Sequence, residues 1–459
     1  MAVHPSDLTQ GGILKKLLQV AVPIMGTQLM QMAYNLTDMF WLGRTPDSVL
    51  AVAASGLAGM YLWLSMALMM VGRMGSEIGV SQNLGSGNRE AAQGYAQDTT
   101  RLSLLLGLAY GLFLVALAEP LVAILQVRDA GVLQSTCAYL RIVGLGIPLS
   151  YVSAAITGTF NGAGNSRLSF WANAVGLVAN MLLDPLLILT FGQGVVGAAI
   201  ATVAAQGLVC GLFVIFAKRH PQRPFPSFIF WGRLNRVRVA QVLRWSLPVA
   251  AESGVFTLLA MVVTAMVTAW YGETAVAVQR VGSQIESLSW LIGGGFSSAV
   301  TAFVGQNYGA RQWRRIRRGY ALSMGTLLGW EALVTVLLVF GGRTFFALFL
   351  TQPPEILDMG ETYLRILAIC QVFMALEGAC AGAFRGMGRT LPPSLCSIAS
   401  NLARPGLCWL LAQSMGLNGI WMGVTVSAAL RGVLIFLWFN RTLRRMPHEN
   451  SVMPVPETA

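Results

Sequence analysis

Polar side chains interrupt two long apolar stretches in the first half of the chain. In the segment QMAYNLTDMFWLG, residues 31–43, Asp38 stands among residues that otherwise suit a hydrocarbon environment. A carboxylate at the centre of a bilayer costs about 2.5–3.5 kcal/mol on insertion scales, so something must compensate it. Gln31, Asn35 and Asp38 are spaced four and three residues apart, which predicts that they share one face of a helix.

A second group of polar residues follows the same helical spacing further along the chain. Asn173, Asn180 and Asp184 are seven and four residues apart, and Thr202 and Gln206 are four apart. Because the two carboxylates have no basic partner within these stretches, a salt bridge is a poor explanation for their presence. Carboxylate and amide oxygens suit a proton or a hard cation, which makes Asp38 and Asp184 the candidate ligands of Na⁺. The alternative is that these groups only pair between helices for packing.

Three prolines lie inside the predicted helices and are candidate hinges. Pro185 directly follows Asp184 and lacks an N–H, so it frees the carbonyl of Met181 and bends the helix beside the predicted ion site. Pro23 and Pro248 occupy similar positions in other spans. The alternative is a kink without function, which is common in membrane helices.

The second half carries glutamates in place of the aspartates. The position displaced by 224 residues from Asp38 is Val262, so the first aspartate has no copy. We expect some of these glutamates to form structural ion pairs with the arginines of the same spans. The three candidates for a cavity that attracts an organic cation are Glu252, Glu286 and Glu377.

The elements that position these residues are predicted to be membrane helices. The chain has 459 residues, of which 55% are hydrophobic and only 11% charged, with a mean hydropathy of +0.62. A soluble domain carries about 25% charged residues, and apolar stretches of about 20 residues are long enough to cross a bilayer. The runs are continuous rather than alternating, which favours an all-α polytopic membrane protein over a barrel. Twelve spans are predicted, at residues 15–41, 48–80, 92–118, 134–158, 167–190, 194–217, 240–270, 276–305, 314–341, 360–383, 392–414 and 418–440.

Basic residues set the predicted orientation of these spans. With both termini in the cytoplasm, 22 of the 31 Lys and Arg residues fall in inner loops and at inner helix ends. We therefore expect a multi-pass protein of the plasma (inner) membrane. The net charge of +12 is spread over short loops beside the spans, which argues against a nucleic-acid partner and for contact with membrane lipid.

The two halves of the chain resemble one another. A displacement of 224 residues aligns QNLG (82–85) with QNYG (306–309) and YLRI (139–142) with YLRI (363–366). Each half has six predicted spans, so the halves should share one orientation and form two pseudo-symmetric bundles around a cavity, as in parallel-repeat transporters. The predicted parts are an N-lobe (1–217), a cytoplasmic linker (218–239), a C-lobe (240–445) and a flexible cytoplasmic tail (446–459).

Other function classes fit the residues less well. The three histidines lie in polar segments, and there is no metal-ligand cluster, P-loop or glycine-rich dinucleotide turn, so we expect no cofactor and no enzyme activity. A membrane transferase would need a nucleophile–base pair within the spans. A flippase for lipids or lipid-linked oligosaccharides stays the alternative to a drug transporter, because Arg280, Arg404 and Arg431 could meet an anionic headgroup.

Several segments are similar to one transporter family over nearly the whole chain. They are VPIMGTQLMQMAYNLTDMFWLG (22–43), SQNLGSGNREAA (81–92), GTFNGAGNS (158–166), RVGSQIESLSWLIGGGFSSA (280–299), VGQNYGARQWRR (304–315) and EGACAGAFRGMGRT (377–390). With the two six-helix halves, they resemble the multidrug and toxic compound extrusion (MATE) transporters, whose fold is shared across the MOP superfamily.

The resemblance implies a function and a set of site residues. It implies an antiporter that exports cationic or amphiphilic organic compounds in exchange for H⁺ or Na⁺, and that works as a monomer. Asp38, Asn180, Asp184 and Thr202 look like the N-lobe cation site of the branch with archaeal and DinF-like members. The branch that relies on an aspartate in the tenth span fits less well, because that span carries Glu377 in a different setting.

Overall fold

A computed structural model describes residues 7–42, 48–124, 129–348 and 354–447. Long helices account for nearly all of these residues. The first half contains α1 (Ile13–Leu42), α2 (Ser48–Gly85), α3 (Arg89–Ala116), the short α4 (Ala118–Ile124), α5 (Ala130–Gly162), α6 (Ser166–Pro185) and α7 (Gly194–Arg219). The second half contains α8 (Arg236–Gly309), α9 (Trp313–Ala347), α10 (Pro354–Gly386), α11 (Leu391–Met415) and α12 (Leu417–Arg444).

The helix α8 contains two predicted spans rather than one. It runs for 74 residues, but Gly272 interrupts the helical backbone with a φ of 79° and a ψ of −175°. Glycine adopts positive φ without a steric cost, so the break occurs at the one glycine of the predicted gap at 271–275. If the two arms of α8 are counted separately, the second half has six long helices within the described ranges, the same number as the first half.

The two halves repeat the same helix packing. In the first half α3 packs on α5, α5 on α7, and α6 on α7; in the second, α9 packs on α10, α10 on α12, and α11 on α12. Each pair in the second half is the repeat equivalent of a pair in the first. The prediction of two pseudo-symmetric six-helix bundles is therefore confirmed.

Nine helical segments in the described part of the chain are long and apolar enough to cross a membrane. The 74-residue α8 counts once among them, and α1 and α11 are not included. The chain is thus a polytopic helical membrane protein, as predicted.

The chain forms two compact units that do not follow the sequence halves at their edges. One unit contains residues 20–80 and 89–257, and the other contains 1–19, 81–88 and 258–459. Within the second of these units the chain start is anchored by side chains near the α8–α9 turn. The backbone N–H of Leu8 donates to Oε1 of Gln306 at 2.9 Å, and Nη2 of Arg315 donates to the Leu8 carbonyl at 3.1 Å.

The repeated QNLG and QNYG segments pack against each other within that same unit. A Cβ on Gly85 would lie 1.9 Å from the carbonyl oxygen of Gln306, and a Cβ on Gly309 would lie 1.9 Å from the carbonyl oxygen of Gln82. Each glycine therefore contacts the backbone of the other segment at a distance that no side chain permits. The sequence repeat becomes a reciprocal contact in the structure.

Candidate functional site

One of the buried carboxylates of the first half, Asp184, lies at the end of α6. Asp184 has no solvent-exposed area and Asn180, one turn earlier, is 4% exposed. The two residues face the same side of the helix, and Nδ2 of Asn180 donates a hydrogen bond to Oδ1 of Asp184 at 2.8 Å. The structure thus brings together the amide and carboxylate that the spacing of the sequence predicts to be neighbours.

The backbone changes its helical form directly after this pair. The α-helix ends at Pro185, and residues Leu186–Thr190 form a π-helical turn. Proline supplies no N–H, so the regular hydrogen-bond ladder is interrupted where Pro185 follows Asp184. Short π-helical turns are frequent at functional sites because they shift side chains out of the regular register.

Glycines hold α7 against this irregular segment. A Cβ on Gly197 would lie 2.7 Å from the backbone of Leu187, and a Cβ on Gly176 would lie 2.0 Å from Cγ2 of Val209. Two contacts of this kind fix α6 and α7 at close range along their lengths. The face of α7 that carries Thr202 is therefore placed by backbone packing as well as by its own side chains.

A hydrogen bond joins α7 to α1 on the polar stripe of α1. The hydroxyl groups of Tyr34 and Thr202 are 3.3 Å apart. Tyr34 precedes Asp38 by one helical turn, so the two residues lie on the same face of α1. Asp38 and Asn35 belong to α1, but their side chains lie outside the described residues. Tyr34 was not predicted as a site residue, because a tyrosine in an apolar run is equally typical of packing.

The other polar residues of the first half make mostly local contacts. Nδ2 of Asn173 donates to the Ser169 carbonyl of its own helix at 2.7 Å. Gln206 packs on α5, where its Oε1 would lie 2.7 Å from a Cβ on Gly146, and this buried oxygen has no hydrogen-bond partner among the described residues. The side chain of Gln31 is exposed. Among the described residues, neither Asn173 nor Gln206 forms a hydrogen bond with the Asn180–Asp184 pair.

The second half contains its own cluster of buried polar groups, within one unit. Nε2 of Gln371 on α10 donates to Oε1 of Glu286 on α8 at 3.0 Å. Ser289, one turn after Glu286, donates from Oγ to Oε2 of Glu331 on α9. Glu331 is 1% exposed and Gln371 is fully buried. No salt bridge to Glu286 or Glu331 occurs among the described residues.

The remaining glutamates of the second half have different surroundings. Glu377 forms an ion pair with Arg431 at 2.7 Å, which is the structural role that the sequence left open as an alternative. Arg404 is 6% exposed, and its Nε donates to Oγ of Ser427 at 2.9 Å. Glu252 is half-buried in the first arm of α8. Glu286 is thus held by a neutral amide, whereas Glu377 is paired with an arginine.

These arrangements have chemistry in common with ion-binding sites. A buried carboxylate in a low-dielectric interior needs a proton, a cation or strong hydrogen bonds to offset its desolvation. Asp184 with the amide of Asn180 offers oxygen ligands of the kind that a hard cation prefers. The described residues contain no group of three or more His, Cys, Asp or Glu side chains that could hold a metal ion.

Comparisons with known proteins agree with the fold and the repeat. The chain is 27% identical over 441 residues to the probable multidrug resistance protein NorM of Thermotoga maritima, covering 93% of this chain and 92% of that one. It is 26% identical to the multidrug resistance protein PmpM of Pseudomonas aeruginosa, covering 94% and 92%.

Solved structures share the fold. A crystal structure of a MATE protein in complex with MaD3S has a TM-score of 0.91 at 21% identity and covers 97% of this chain and 99% of that one. An outward-facing multidrug resistance MATE transporter of the MOP superfamily has a TM-score of 0.89 at 22% identity, covering 98% and 100%.

The family profile matches the chain twice. The MatE profile covers residues 23–186 and again residues 248–410. The second match repeats the first at the displacement that the sequence motifs share. Most of the chain is therefore accounted for by two copies of one transporter domain, and the chain belongs to the MatE family of multidrug and toxic compound extrusion transporters.

Proposed function

We propose that the protein is a secondary active antiporter that exports cationic or amphiphilic organic compounds in exchange for H⁺ or Na⁺. The observation that supports this proposal best is the buried Asn180–Asp184 pair, with its hydrogen bond of 2.8 Å, in a transporter of this family. Relatives named as multidrug resistance proteins support the substrate class. The protein works as a monomer in the plasma (inner) membrane, with both termini in the cytoplasm.

In the proposed cycle the first half binds the coupling ion. Asp184 and Asp38 take up H⁺ or Na⁺ from outside, with Asn180 and Thr202 as polar neighbours. Thr202 is already joined to α1 through Tyr34, at 3.3 Å between the hydroxyls, so neutralising the carboxylates alters contacts of both α6 and α1. The hinges for this movement are Pro23, Pro185 and Pro248.

Exchange follows from a difference in affinity between two conformations. The ion stabilises one conformation of the transporter and the organic compound stabilises the other, so each promotes release of its competitor. Alternating access requires no further energy source, because the ion gradient supplies the work.

The positive charge of the substrate is proposed to meet Glu286 in the second half. This carboxylate accepts from the amide of Gln371 and forms no salt bridge with a residue that the structure describes, whereas Glu377 is already paired with Arg431. An unpaired carboxylate attracts a cationic group more strongly than one that an arginine neutralises.

Transport by purified protein in liposomes tests the proposal. Ethidium uptake is measured with a pH gradient and a Na⁺ gradient imposed separately, for wild type and for Asp38→Asn and Asp184→Asn. The control is Glu119→Gln, which removes a carboxylate that is paired with Arg141 at an exposed site. We expect one gradient to drive transport, and expect only the two aspartate variants to lose it.

Two results would count against the proposal. Equal transport by wild type and both aspartate variants would remove the ion site from the first half. Failure of the well-folded wild type to move ethidium under either gradient, together with movement of a fluorescent anionic lipid between leaflets, would favour the flippase.

A further inference from the structure

A cavity of about 780 Å³ lies at one end of the second unit, beside the end of α12. Its volume falls within the range of about 300–1,000 Å³ that is usual for small-molecule sites. The residues that line it come from the α8–α9 turn, the α10–α11 turn and the end of α12, and they include Tyr308, Trp313, Met387, Arg389, Arg441 and Arg445. Three elements that are distant in sequence therefore converge on it.

Contacts between these elements build the walls of the cavity. The rings of Tyr308 and Trp313 meet edge to face, with centroids 5.5 Å apart. Arg317 of α9 donates to the carbonyl of Met446 at 3.0 Å, which ties the end of α12 to α9. Met387 and Met446 are 4% and 9% exposed and supply a buried apolar surface. The cavity is thus defined by packed side chains rather than by a loose loop.

The charge that faces the cavity is positive. Arg389, Arg441 and Arg445 are all exposed, and the lining includes no carboxylate. None of the three forms a salt bridge with a residue of the described ranges. Basic residues at a helix C-terminus stabilise the helix dipole, which accounts for Arg441 and Arg445. It does not account for Arg389, which comes from another turn, or for the aromatic wall.

Apolar residues continue from the basic rim along α12. Leu437 is 60% exposed and Trp438 is 43% exposed, and Arg441 follows Leu437 by one helical turn. The surface therefore offers cationic groups at one end and hydrocarbon contacts next to them. A phospholipid with an anionic headgroup has the same division, and basic pockets between membrane helices are known to suit such headgroups.

We propose that this cavity binds the phosphate-bearing headgroup of an anionic phospholipid, with Arg389, Arg441 and Arg445 as its cationic ligands. Arginine suits phosphate because its planar guanidinium donates two parallel hydrogen bonds. Tyr308 and Trp313 flank the glycerol region, and an acyl chain lies along Leu437 and Trp438. The end of the bundle concerned is the one that the charge distribution predicts to face the cytoplasm. None of the residues that line it belongs to the proposed ion site or to the proposed substrate site.

Native mass spectrometry of the full-length protein tests the proposal. Phosphatidylglycerol and phosphatidylcholine are titrated into delipidated protein in detergent, and bound lipid is counted for each variant. The test variant combines Arg389→Gln, Arg441→Gln and Arg445→Gln. The matched control combines Arg219→Gln, Arg233→Gln and Arg236→Gln, three exposed arginines outside the cavity on the same predicted side. Thermal unfolding confirms that each variant is folded, and Arg389→Gln alone serves if the triple variant is not.

We expect wild type and control to retain one phosphatidylglycerol in preference to phosphatidylcholine. The test variant should bind it roughly a hundredfold more weakly, since each arginine near an anionic lipid contributes roughly fivefold. Equal loss in the control would show a diffuse charge effect and overturn the site. Equal retention of both lipids would overturn the role of the headgroup. Displacement of the lipid by millimolar inorganic phosphate would indicate a site for a soluble anion instead.

Discussion

The polar sites of the two halves lie on different helices of the same repeated bundle. In the first half the carboxylate of the candidate site, Asp184, is on α6, with Thr202 on the adjacent α7 and Tyr34 on α1. In the second half the cluster uses the second arm of α8 with α9 and α10, through Glu286, Glu331 and Gln371. The helix packing is repeated, but the chemistry is not.

This difference separates what the fold needs from what the function needs. Backbone contacts are conserved between the halves because a bundle of this shape requires glycine at the same places, as the reciprocal packing of Gly85 and Gly309 shows. Buried charges are expensive in a membrane, so each needs either a partner of opposite charge, as Glu377 has in Arg431, or a ligand. The two clusters are the reason why we propose that the first half binds the ion and the second half meets the substrate.

The largest effect is expected from Asp184. We predict that Asp184→Asn lowers ion-driven ethidium transport on the order of 10–100-fold, because coupling energies between two ligands are typically 5–150-fold in affinity. The amide keeps the volume and the contact with Asn180 but removes the negative charge. Gradient-driven uptake in liposomes measures it. If Asp184→Asn transported ethidium as well as wild type, the proposal that the first half binds the coupling ion would be wrong.

The next effect concerns substrate affinity in the second half. We predict that Glu286→Gln weakens equilibrium binding of ethidium by about 5–30-fold, as expected when one charge-assisted contact of about 1–2 kcal/mol is lost. Fluorescence titration of the purified protein measures it. The matched control is Glu361→Gln, a carboxylate that pairs with Arg343 and Arg365 at the surface. If Glu286→Gln abolished the response to the ion gradient while ethidium still bound normally, the roles of the halves would be reversed.

A third prediction concerns the symmetric part of the molecule. Gly85→Ala and Gly309→Ala should each lower the free energy of unfolding by about 1–3 kcal/mol, because each new methyl group meets backbone atoms. Gly325→Ala is the control, since a Cβ there meets nothing within 4 Å. Alanine at that helical position should leave stability unchanged or raise it by up to about 1 kcal/mol. Thermal or denaturant unfolding measures these free energies. The same free energy of unfolding for all three variants would contradict the reciprocal contact.

The smallest effect is expected from the hydrogen bond between α1 and α7. Tyr34→Phe removes the hydroxyl that lies 3.3 Å from Thr202 and should reduce ion-driven transport about two- to tenfold, the usual worth of one neutral hydrogen bond. Tyr271→Phe, which changes the same chemical group at the end of the first arm of α8, is the control. A larger loss in the control than in Tyr34→Phe would show that the effect is not specific to α1.

Most of the fold was predictable because apolar runs and turn residues determine membrane helices locally. Even the break in α8 coincides with a glycine in the predicted gap. The association of residues 7–19 with the unit that contains most of the second half was not predictable, because it depends on contacts of Leu8 with Gln306 and Arg315 about 300 positions away.

The candidate site was predictable only where its members share one helix. Asn180 and Asp184 are one turn apart, so their contact follows from helical spacing. Tyr34 in an apolar run is indistinguishable from a packing residue until Thr202 is placed beside it. Likewise, the contact of Ser289 with Glu331 joins two helices across 42 residues, and no local pattern indicates it.

The most direct test of the central claim compares ethidium accumulation with and without an ion gradient in the same liposomes. The ratio of the two is measured for wild type, Asp184→Asn and Glu286→Gln at saturating ethidium. A ratio well above one for wild type and Glu286→Gln, and a ratio of one for Asp184→Asn, is the predicted result. A ratio that stays high in Asp184→Asn and falls to one in Glu286→Gln would place ion coupling in the second half and contradict the account.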